Sequence, residues 1–529
     1  MPDLTREQAE CYNLSSDSCL WTASPSASPG YKGHDRVWVV RCAWTRQQKA
    51  VTAHAIVDKE NMSDLEFLFH PRSIAVVGTP SGPEDTLGAG VLLHSLVEFG
   101  YGGRIYPVNP KADGIMGLKA YPDLASVPES PDYVICCLPA RLAPKLVRDC
   151  VARRVKAIAV YTAGFSEVSE EGRRLERDLA EIAREGGVRL IGPNCMGIYC
   201  PRTGLSYNPR VSREAGCIGL VCQSGGNSLV LTMMGNLRGI HFSKVISYGN
   251  AADLTEADFI EYLAQDAETE AIGAYIEGLK DGRRFLRVLS EATRRKPVAV
   301  VKGGRTGAGM KAAASHTGAL ASSRARWDAL CRQAGAVQVD SLDEMLDFIE
   351  TCLYMRPPDG PRVGIIGWSG GASVLSADDC EGAGLSVPIF SDGLRQELRR
   401  FLPEMGNSVN NPVDSVVVTT PGAVSRGMTA VAGSNEVDFL LVHMPLASSL
   451  SAFTSQARRE TLEAVIETSR SIGLPVAVAQ PHADEPESAE IFYGLQQRCV
   501  EAGLPMYSSP SRAGKAISRF IQYHRWKSG

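Results

Sequence analysis

One histidine, His316, stands between Ser315 and Thr317 in the stretch GGRTGAGMKAAASHTGALASS, Gly303 to Ser323. A strand-like run, PVAVVKG (Pro297 to Gly303), leads into it. Gly304, Gly307 and Gly309 then read as a mobile turn, and the small residues after Gly318 read as the opening of a helix. An imidazole on a glycine-rich loop suits a group that must reach, react and move; the same residues also fit a solvated surface histidine. A second stretch, Gln223-Ser224-Gly225-Gly226, follows the apolar run CIGLVC. Glycines at a helix start let an anion approach the free N–H groups, and the helix dipole favours it by roughly 0.3–1 kcal/mol. Ser224, Gly225 and Gly226 are therefore a candidate phosphate seat, or a plain helix start. A third group, Glu277, ends the strand-like run AIGAYIEG. A carboxylate at a strand end is able to hold one ring nitrogen of a histidine and leave the other nucleophilic, or else to cap a helix or pair at the surface.

Other chemistries find little support. GRTGAGMKA lacks a lysine directly after its final glycine, so it is not a GxxxxGK[ST] phosphate loop. No set of residues has metal-ligand spacing, and no metal is expected on this chain. His482, in QPHADEPE, reads as a solvated side chain.

The positioning elements follow from periodicity. From Ile74 strands and helices alternate: SIAVVG, VLLHSLVEFG, RIYPVNP, YVICCLP, a helix from about Ala143, AIAVYTAG, a charged helix from Glu170 to Glu185, and RLIGPN. Buried strands alternating with helices predict a parallel, doubly wound α/β sheet, whose ligands bind at the C-terminal strand ends. Those ends are Gly78-Thr79-Pro80-Ser81, Asn109-Pro110-Lys111, Leu138-Pro139-Ala140, Thr162-Ala163-Gly164 and Gly192-Pro193-Asn194-Cys195. The first turn is Gly78-x-x-x-Gly82, not GxGxxG, and the second strand ends in a lysine rather than an acid. Both features favour a phosphate-bearing nucleotide over NAD, so a dehydrogenase is disfavoured.

A second α/β unit begins near Gly216, and a third at Arg362 with RVGIIGWSGG. The two align without gaps, Ile218-Gly219 on Val363-Gly364 and Ser224-Gly225-Gly226 on Ser369-Gly370-Gly371. This is an internal repeat, with a Pro/Gly hinge between the copies at Arg356 to Pro361. The aspartates Asp253, in GNAADL, and Asp414, in NNPVDS, are expected to correspond.

The chain's 529 residues exceed what one core holds and suggest about three domains. A net charge of -4 gives no basic excess for nucleic acid or an anionic membrane, and no apolar run approaches a span of about 20 residues. The 14 cysteines contain no CxxC, as in a reduced, cytoplasmic protein. Residues 1–61 hold half of the six tryptophans and a Ser/Pro stretch, and read as a disordered leader or a misassigned start ahead of Met62. The expected domains are 62–210, 211–356 and 361–526.

From about Leu65 to its end, the chain resembles the nucleoside-diphosphate-forming acyl-CoA synthetases, the group of acetate–CoA ligase (ADP-forming) and succinyl-CoA synthetase. SIAVVG, YPVNPK and GPNCMG carry the likeness to the CoA-binding domain, GLVCQSGG to the first ligase domain, GGRTGAGMKAAASHTGALA to the phosphohistidine loop, and RVGIIGWSGG with NNPVD to the second ligase domain. The resemblance implies a Rossmann-like CoA-binding domain followed by two flavodoxin-like domains. It makes His316 the transiently phosphorylated histidine, Glu277 its stabilising glutamate, and Ser224, Gly225 and Gly226 the helix start that receives the phosphate. Gly78 to Ser81, Asn109 to Lys111 and Gly192 to Cys195, with Pro193 and Asn194 foremost, fall at CoA-contacting turns; Leu138, Pro139, Thr162 and Gly164 complete the rim of strand ends. Trp368 departs from the family, where a small or amide residue is usual. All residues after Leu65 are used by three α/β units, so the resemblance implies an α-type subunit. ATP or ADP and magnesium are then expected on an ATP-grasp β-type partner, with CoA, phosphate and a small carboxylic acid as substrates. A competing expectation is a non-catalytic CoA-binding regulator of the same fold.

Overall fold

The computed structural model describes residues 65–79, 88–317, 324–367, 369–402, 408–415, 420–444, 455–481 and 486–529, with backbone only at 314–317, 455 and 486–488. The leader and Met62, Pro80, Ser81, Gly318, Trp368 and His482 lie outside the described residues. Among the described residues no helix is long and apolar enough to cross a membrane.

The first sheet is built from β1 (Ser73–Val77), β2 (Arg104–Val108), β5 (Tyr133–Cys136), β6 (Ala157–Val160) and β7 (Arg189–Ile191), with a small hairpin of β3 (Gly114–Ile115) and β4 (Leu118–Lys119) after β2. Its helices are α1 (Ala89–Glu98), α2 (Ala143–Ala152) and α3 (Glu170–Glu185). The strands run parallel in the order β2-β1-β5-β6-β7. Beyond β2, Tyr121 bridges Val108 in parallel, through Asn109 N–H to Tyr121 O at 2.8 Å and Tyr121 N–H to Pro107 O at 3.0 Å. Counting that bridge as a shortened strand, the order is the 3-2-1-4-5-6 of a dinucleotide-type sheet, whose switch point lies between β1 and β5. β1, β5 and β6 are buried at every residue, as helices on both faces require.

The second sheet comprises β8 (Gly197–Tyr199), β9 (Ile218–Cys222), β10 (Phe242–Ser247), β11 (Ala271–Ile276), β12 (Val298–Lys302) and β13 (Val337–Val339). Its helices are α4 (Gly225–Leu237), α5 (Glu256–Gln265), α6 (Gly282–Arg295), α7 (Gly307–Thr317), α8 (Arg324–Ala334) and α9 (Leu342–Tyr354). The strand order is β13-β12-β11-β9-β10-β8. β8 is antiparallel to β10, so residues 197–199, which fall within the expected 62–210 domain, form an edge of this sheet. Strand runs alone do not reveal which edge a chain will pair with.

The third sheet contains β14 (Val363–Gly367), β15 (Val413–Asp414), β16 (Phe439–His443), β17 (Val476–Ala479) and β18 (Met506–Tyr507). Around it stand α10 (Gly370–Gly382), α11 (Asp392–Arg399), α12 (Pro421–Gly433), α13 (Ser455–Ser471), α14 (Pro486–Ala502) and α15 (Pro510–Ser528). Its order, β15-β14-β16-β17-β18, is that of the second sheet without β8. The internal repeat is thus a repeat of topology. The expected match of Asp253 with Asp414 fails on register, however. Asp414 pairs with Gly367, the counterpart of Cys222, and Cys222 pairs with Ser247. Asp414 therefore corresponds to Ser247, while Asp253 lies beyond the strand and accepts from Arg189 Nε at 3.0 Å and Leu190 N–H at 2.9 Å.

The second and third sheets are joined by a buried ionic cluster. Arg238 Nη2 reaches Asp347 and Glu350, each at 2.6 Å, and these carboxylates hold the guanidinium charged against burial. Arg512 Nε donates to Asp347 at 2.7 Å, and Glu350 Oε1 accepts Met506 N–H at 2.8 Å.

Candidate functional site

The C-terminal strand ends of the first sheet form one hydrogen-bonded rim. Gly78 adopts φ +91°, and a Cβ there would come within 3.1 Å of the Cys137 carbonyl carbon and the Leu138 side chain. Only glycine brings the β1 turn this close to β5. Thr79, buried, donates from Oγ1 to Val108 O at 3.4 Å, and its own carbonyl accepts Asn109 Nδ2 at 2.6 Å. Asn109 Oδ1 accepts Lys111 N–H at 2.8 Å, turning the chain so that Pro110 and Lys111 are exposed. Leu138 O accepts Thr162 Oγ1 at 2.7 Å, Pro139 is exposed, and Thr162 O accepts Asn194 N–H at 3.1 Å. Gly164, at φ +109°, donates to Glu167 Oε1 at 2.6 Å. Burial works against the charge of Glu167, but this N–H and the Asn250 amide hold its carboxyl below the usual range. The structure thus brings together every described member of the expected CoA rim.

The rim continues onto the second sheet. Gly249 packs against the carbonyls of Pro193 and Asn194. Asn250, wholly enclosed, donates from Nδ2 to Glu167 Oε2 at 2.6 Å and Glu176 Oε2 at 2.8 Å, and its Oδ1 accepts Asn194 Nδ2 at 3.4 Å. Met196 N–H donates to Ser247 Oγ at 3.0 Å. The Met196 side chain then fills the space over Gly225, where a Cβ would sit 2.7 Å from its Cγ.

Gly225 and Gly226 open α4, whose N-cap Ser224 accepts Asn227 N–H at 3.3 Å. Gly226 is exposed, and a Cβ there would meet nothing nearer than Ser224 Oγ at 4.0 Å. The first turn of α4 is therefore open on one side and roofed by the first-sheet loop on the other, the geometry expected of an anion seat.

Glu277 stands beside this turn. It is buried at the end of β11, where Gln223 Oε1 accepts both Glu277 N–H at 2.7 Å and Gly278 N–H at 3.1 Å. Tyr275 Oη donates to Glu277 Oε1 at 3.1 Å, and Lys302 Nζ to Glu277 O at 2.6 Å. Burial pushes the Lys302 ammonium down while the Glu277 charge supports it. A Cβ on Gly303 would lie 3.0 Å from Glu277 Cγ; one on Gly304, at φ +71°, would lie 3.1 Å from Ala313 Cβ on α7. His316 is one helical turn beyond Ala313.

The histidine stretch differs from its expected form. Residues 307–317 are helical, not a loop, so His316 lies in the last turn of α7. Thr306 caps the helix, accepting Gly309 N–H at 3.1 Å on Oγ1, and the Ala-rich run MKAAAS propagates it despite Gly307 and Gly309. The turn itself is confined to Gly303–Thr306, where Arg305 Nη2 donates to Asp340 O at 2.7 Å.

Several participants were not singled out from sequence. Tyr275, Lys302, Met196 and Asn250 act through partners distant in the chain, and only the strand alternation of Tyr275 with Glu277 hinted at one of them. Among the described residues no group of three or more His, Cys, Asp or Glu could hold a metal ion.

Comparison with known proteins agrees with the fold. Residues 72–201 match the family model of a CoA binding domain, and residues 215–352 that of a succinyl-CoA ligase like flavodoxin domain. The chain is 34% identical over 461 residues to the Pyrococcus furiosus acetate–CoA ligase [ADP-forming] II subunit alpha, covering 87% of this chain and 97% of that one. It is 35% identical over 464 residues to the Archaeoglobus fulgidus acetate–CoA ligase [ADP-forming] I, of whose length it spans 64%. Among solved structures, the dinucleotide forming acetyl-coenzyme A synthetase 1 of Ca. Korarchaeum cryptofilum, in complex with phosphate and ADP, superposes with a TM-score of 0.76 at 31% identity, covering 88% of this chain and 98% of that one.

Proposed function

Because the chain belongs to the family of ADP-forming acetate–CoA ligases, we propose that it interconverts acyl-CoA, ADP and phosphate with a carboxylate, CoA and ATP, through an acyl phosphate and a phosphohistidine. The observation that supports this most is the unbroken line of contacts from the first-sheet rim, across Met196, to the open first turn of α4 and the buried Glu277 beside the glycine turn that leads to His316.

The rim at Gly78-Thr79, Asn109-Pro110-Lys111, Leu138-Pro139, Thr162, Gly164 and Pro193-Asn194 holds CoA with its thioester toward α4. Phosphate, seated on the N–H groups of Ser224, Gly225 and Gly226, attacks the thioester carbonyl, and the CoA thiolate leaves. A ring nitrogen of His316 then attacks phosphorus, the bond to the acyl oxygen breaks, and the carboxylate departs. Glu277 accepts the other ring N–H and stabilises the imidazolium character that develops. Met196, packed over Gly225, screens that side of the seat from water, which would otherwise hydrolyse the acyl phosphate. Transfer onward to ADP takes place on a magnesium-dependent ATP-grasp unit outside the three sheets, reached by motion about the Gly303-Gly304 turn. The reaction belongs in the cytoplasm, where the described cysteines, all free thiols, stay reduced.

With ATP, magnesium and an ATP-grasp partner, the expected product is an acid-labile phosphoryl group on this chain, absent from His316→Asn. Equal labelling of that variant overturns the assignment, and CoA binding with no labelling under any pairing identifies a non-catalytic binding protein instead.

A further inference from the structure

We propose that Tyr275 is a positioning residue for the phosphoryl step, tying the first turn of the phosphate seat to the Glu277 carboxylate; the proposal rests on the roles given above to His316 and Glu277. Tyr275, on β11, precedes Glu277, the first residue beyond the strand, by two positions, so the extended chain turns both side chains to one side. Its hydroxyl donates to Glu277 Oε1 at 3.1 Å. The pair meets over Gly303, where a Cβ would come within 2.7 Å of the phenol oxygen. Any larger residue there would push phenol and carboxylate apart.

Two further features give this bond a purpose beyond packing. Asn227, in the first turn of α4, acts on the phenol as a hydrogen-bond donor does, favouring its ionised form. Burial and the Glu277 charge outweigh that effect and push the phenol far above its ordinary range, so Tyr275 keeps its proton and donates throughout the working pH range. The phenol therefore sits between the helix that receives phosphate and the carboxylate that meets histidine. Gln223 and Lys302 hold the Glu277 backbone, and Tyr275 donates to its carboxylate oxygen. An oriented carboxylate presents one oxygen to the imidazole at a constant angle, which matters because a positioning error of about 1 Å is able to cost about a hundredfold in rate.

The strand register provides an internal contrast. Ile272 pairs with Gly219 as Leu440 pairs with Gly364, so the third-sheet counterpart of Tyr275 is His443, an imidazole in place of the phenol.

The test is a double-variant cycle on the full chain with radiolabelled acetyl phosphate as phosphoryl donor, using rapid quench and acid-lability to follow phosphohistidine. Tyr275→Phe is expected to slow labelling about 10- to 100-fold, as loss of a hydrogen bond to a charged group does. CoA affinity and Tm should remain at the wild-type values. In a Glu277→Gln background the same substitution is expected to change the rate less than about twofold, because the charged carboxylate it orients is already gone. Wild-type labelling by Tyr275→Phe, or effects that multiply independently of Glu277→Gln, overturns the proposal. Where Tyr275→Phe loses CoA binding through misfolding, Asn227→Ala replaces it in the cycle and is held to the same non-additivity. Labelling that survives His316→Asn overturns the functional reading itself; labelling lost in His316→Asn with independent Tyr275 and Glu277 effects overturns this proposal alone.

Discussion

At its strand ends the second sheet carries Gln223, Tyr275, Glu277 and Lys302. Through the shared register, the third sheet carries His443 and Gln480 at the places of Tyr275 and Lys302. Both sheets run in the same order and both open a helix with Ser-Gly-Gly. Beside Gly225 stands the hydroxyl of Ser247; beside Gly370 stands the carboxylate of Asp414, its Oδ2 3.3 Å from where a Cβ would be. Desolvation pushes Asp414 upward, and His443 is driven down to about 4 by burial, with Ser376 Oγ 3.4 Å from its Nδ1. One topology therefore serves two ends. The second sheet places a buried glutamate beside an open helix start, while the third, among the described residues, presents a buried imidazole where the second has Tyr275. The fold supplies the strand ends; the residues on them decide whether chemistry occurs.

The largest expected effect concerns what joins the two copies. Arg238→Met leaves Glu350 and Asp347 buried with one cation fewer, and is expected to destabilise the chain by about 3–5 kcal/mol in urea unfolding. A loss below about 1 kcal/mol would mean the two sheets do not depend on that cluster.

Next in size are two opposed titrations, one on each sheet. His443 titrates near 4 in the fold against about 6.5 when unfolded, so its contribution is full above about 6.5 and is lost as pH falls toward 4. Glu256, driven up to about 7 by burial from an ordinary 4.5, does the reverse: its contribution is full below about 4.5 and is lost as pH rises through 7. Each amounts to about 3 kcal/mol at its limit. Stability curves from pH 4 to 8 are expected to lose their acid limb in His443→Gln and their neutral limb in Glu256→Gln. Unchanged curves would place both groups in contact with water.

Chemistry should separate the copies about as sharply. Glu277→Gln is expected to slow phosphohistidine formation by about a hundredfold, roughly 2.7 kcal/mol of transition-state stabilisation. His443→Gln, at the phenol position of the third sheet, should alter it less than about twofold. Comparable losses would make both strand ends part of one reaction.

The smallest effect is steric. Gly225→Ala drives a methyl group against Met196 and is expected to cost about 1–3 kcal/mol of stability, whereas Gly226→Ala faces open space and should be nearly silent. Thermal melts of the two variants read the difference directly.

Much of this plan is legible from residue order, because a parallel strand buried on both faces is a continuous apolar run, and because Ser-Gly-Gly after such a run marks a helix start. Glu277, Ser224 and the rim turns were found that way: each sits at a strand end, which the sequence marks. What escaped depends on register and distance. Asp253 and Asp414 both follow an apolar run, but β10 has six residues and β15 two, so equal-looking turns fall at different depths. β8 pairs with a strand more than 40 residues away in the chain, and only the formed edge shows it. His316 looked like a loop residue because glycines dominate the start of its stretch; the alanines and the Thr306 cap outweigh them. Asn250 is unremarkable in sequence and gains its role from carboxylates 74 and 83 residues earlier.

The central claim is that the second sheet, and not its third-sheet twin, carries the phosphoryl group. Quench-flow labelling of the chain alone with radiolabelled acetyl phosphate, followed by peptide mapping under alkaline conditions, tests it most directly. The expected result is one acid-labile, base-stable label on the peptide containing His316, absent from His316→Asn and unaffected by His443→Gln. A label that persists in His316→Asn, or that maps to His443, contradicts it.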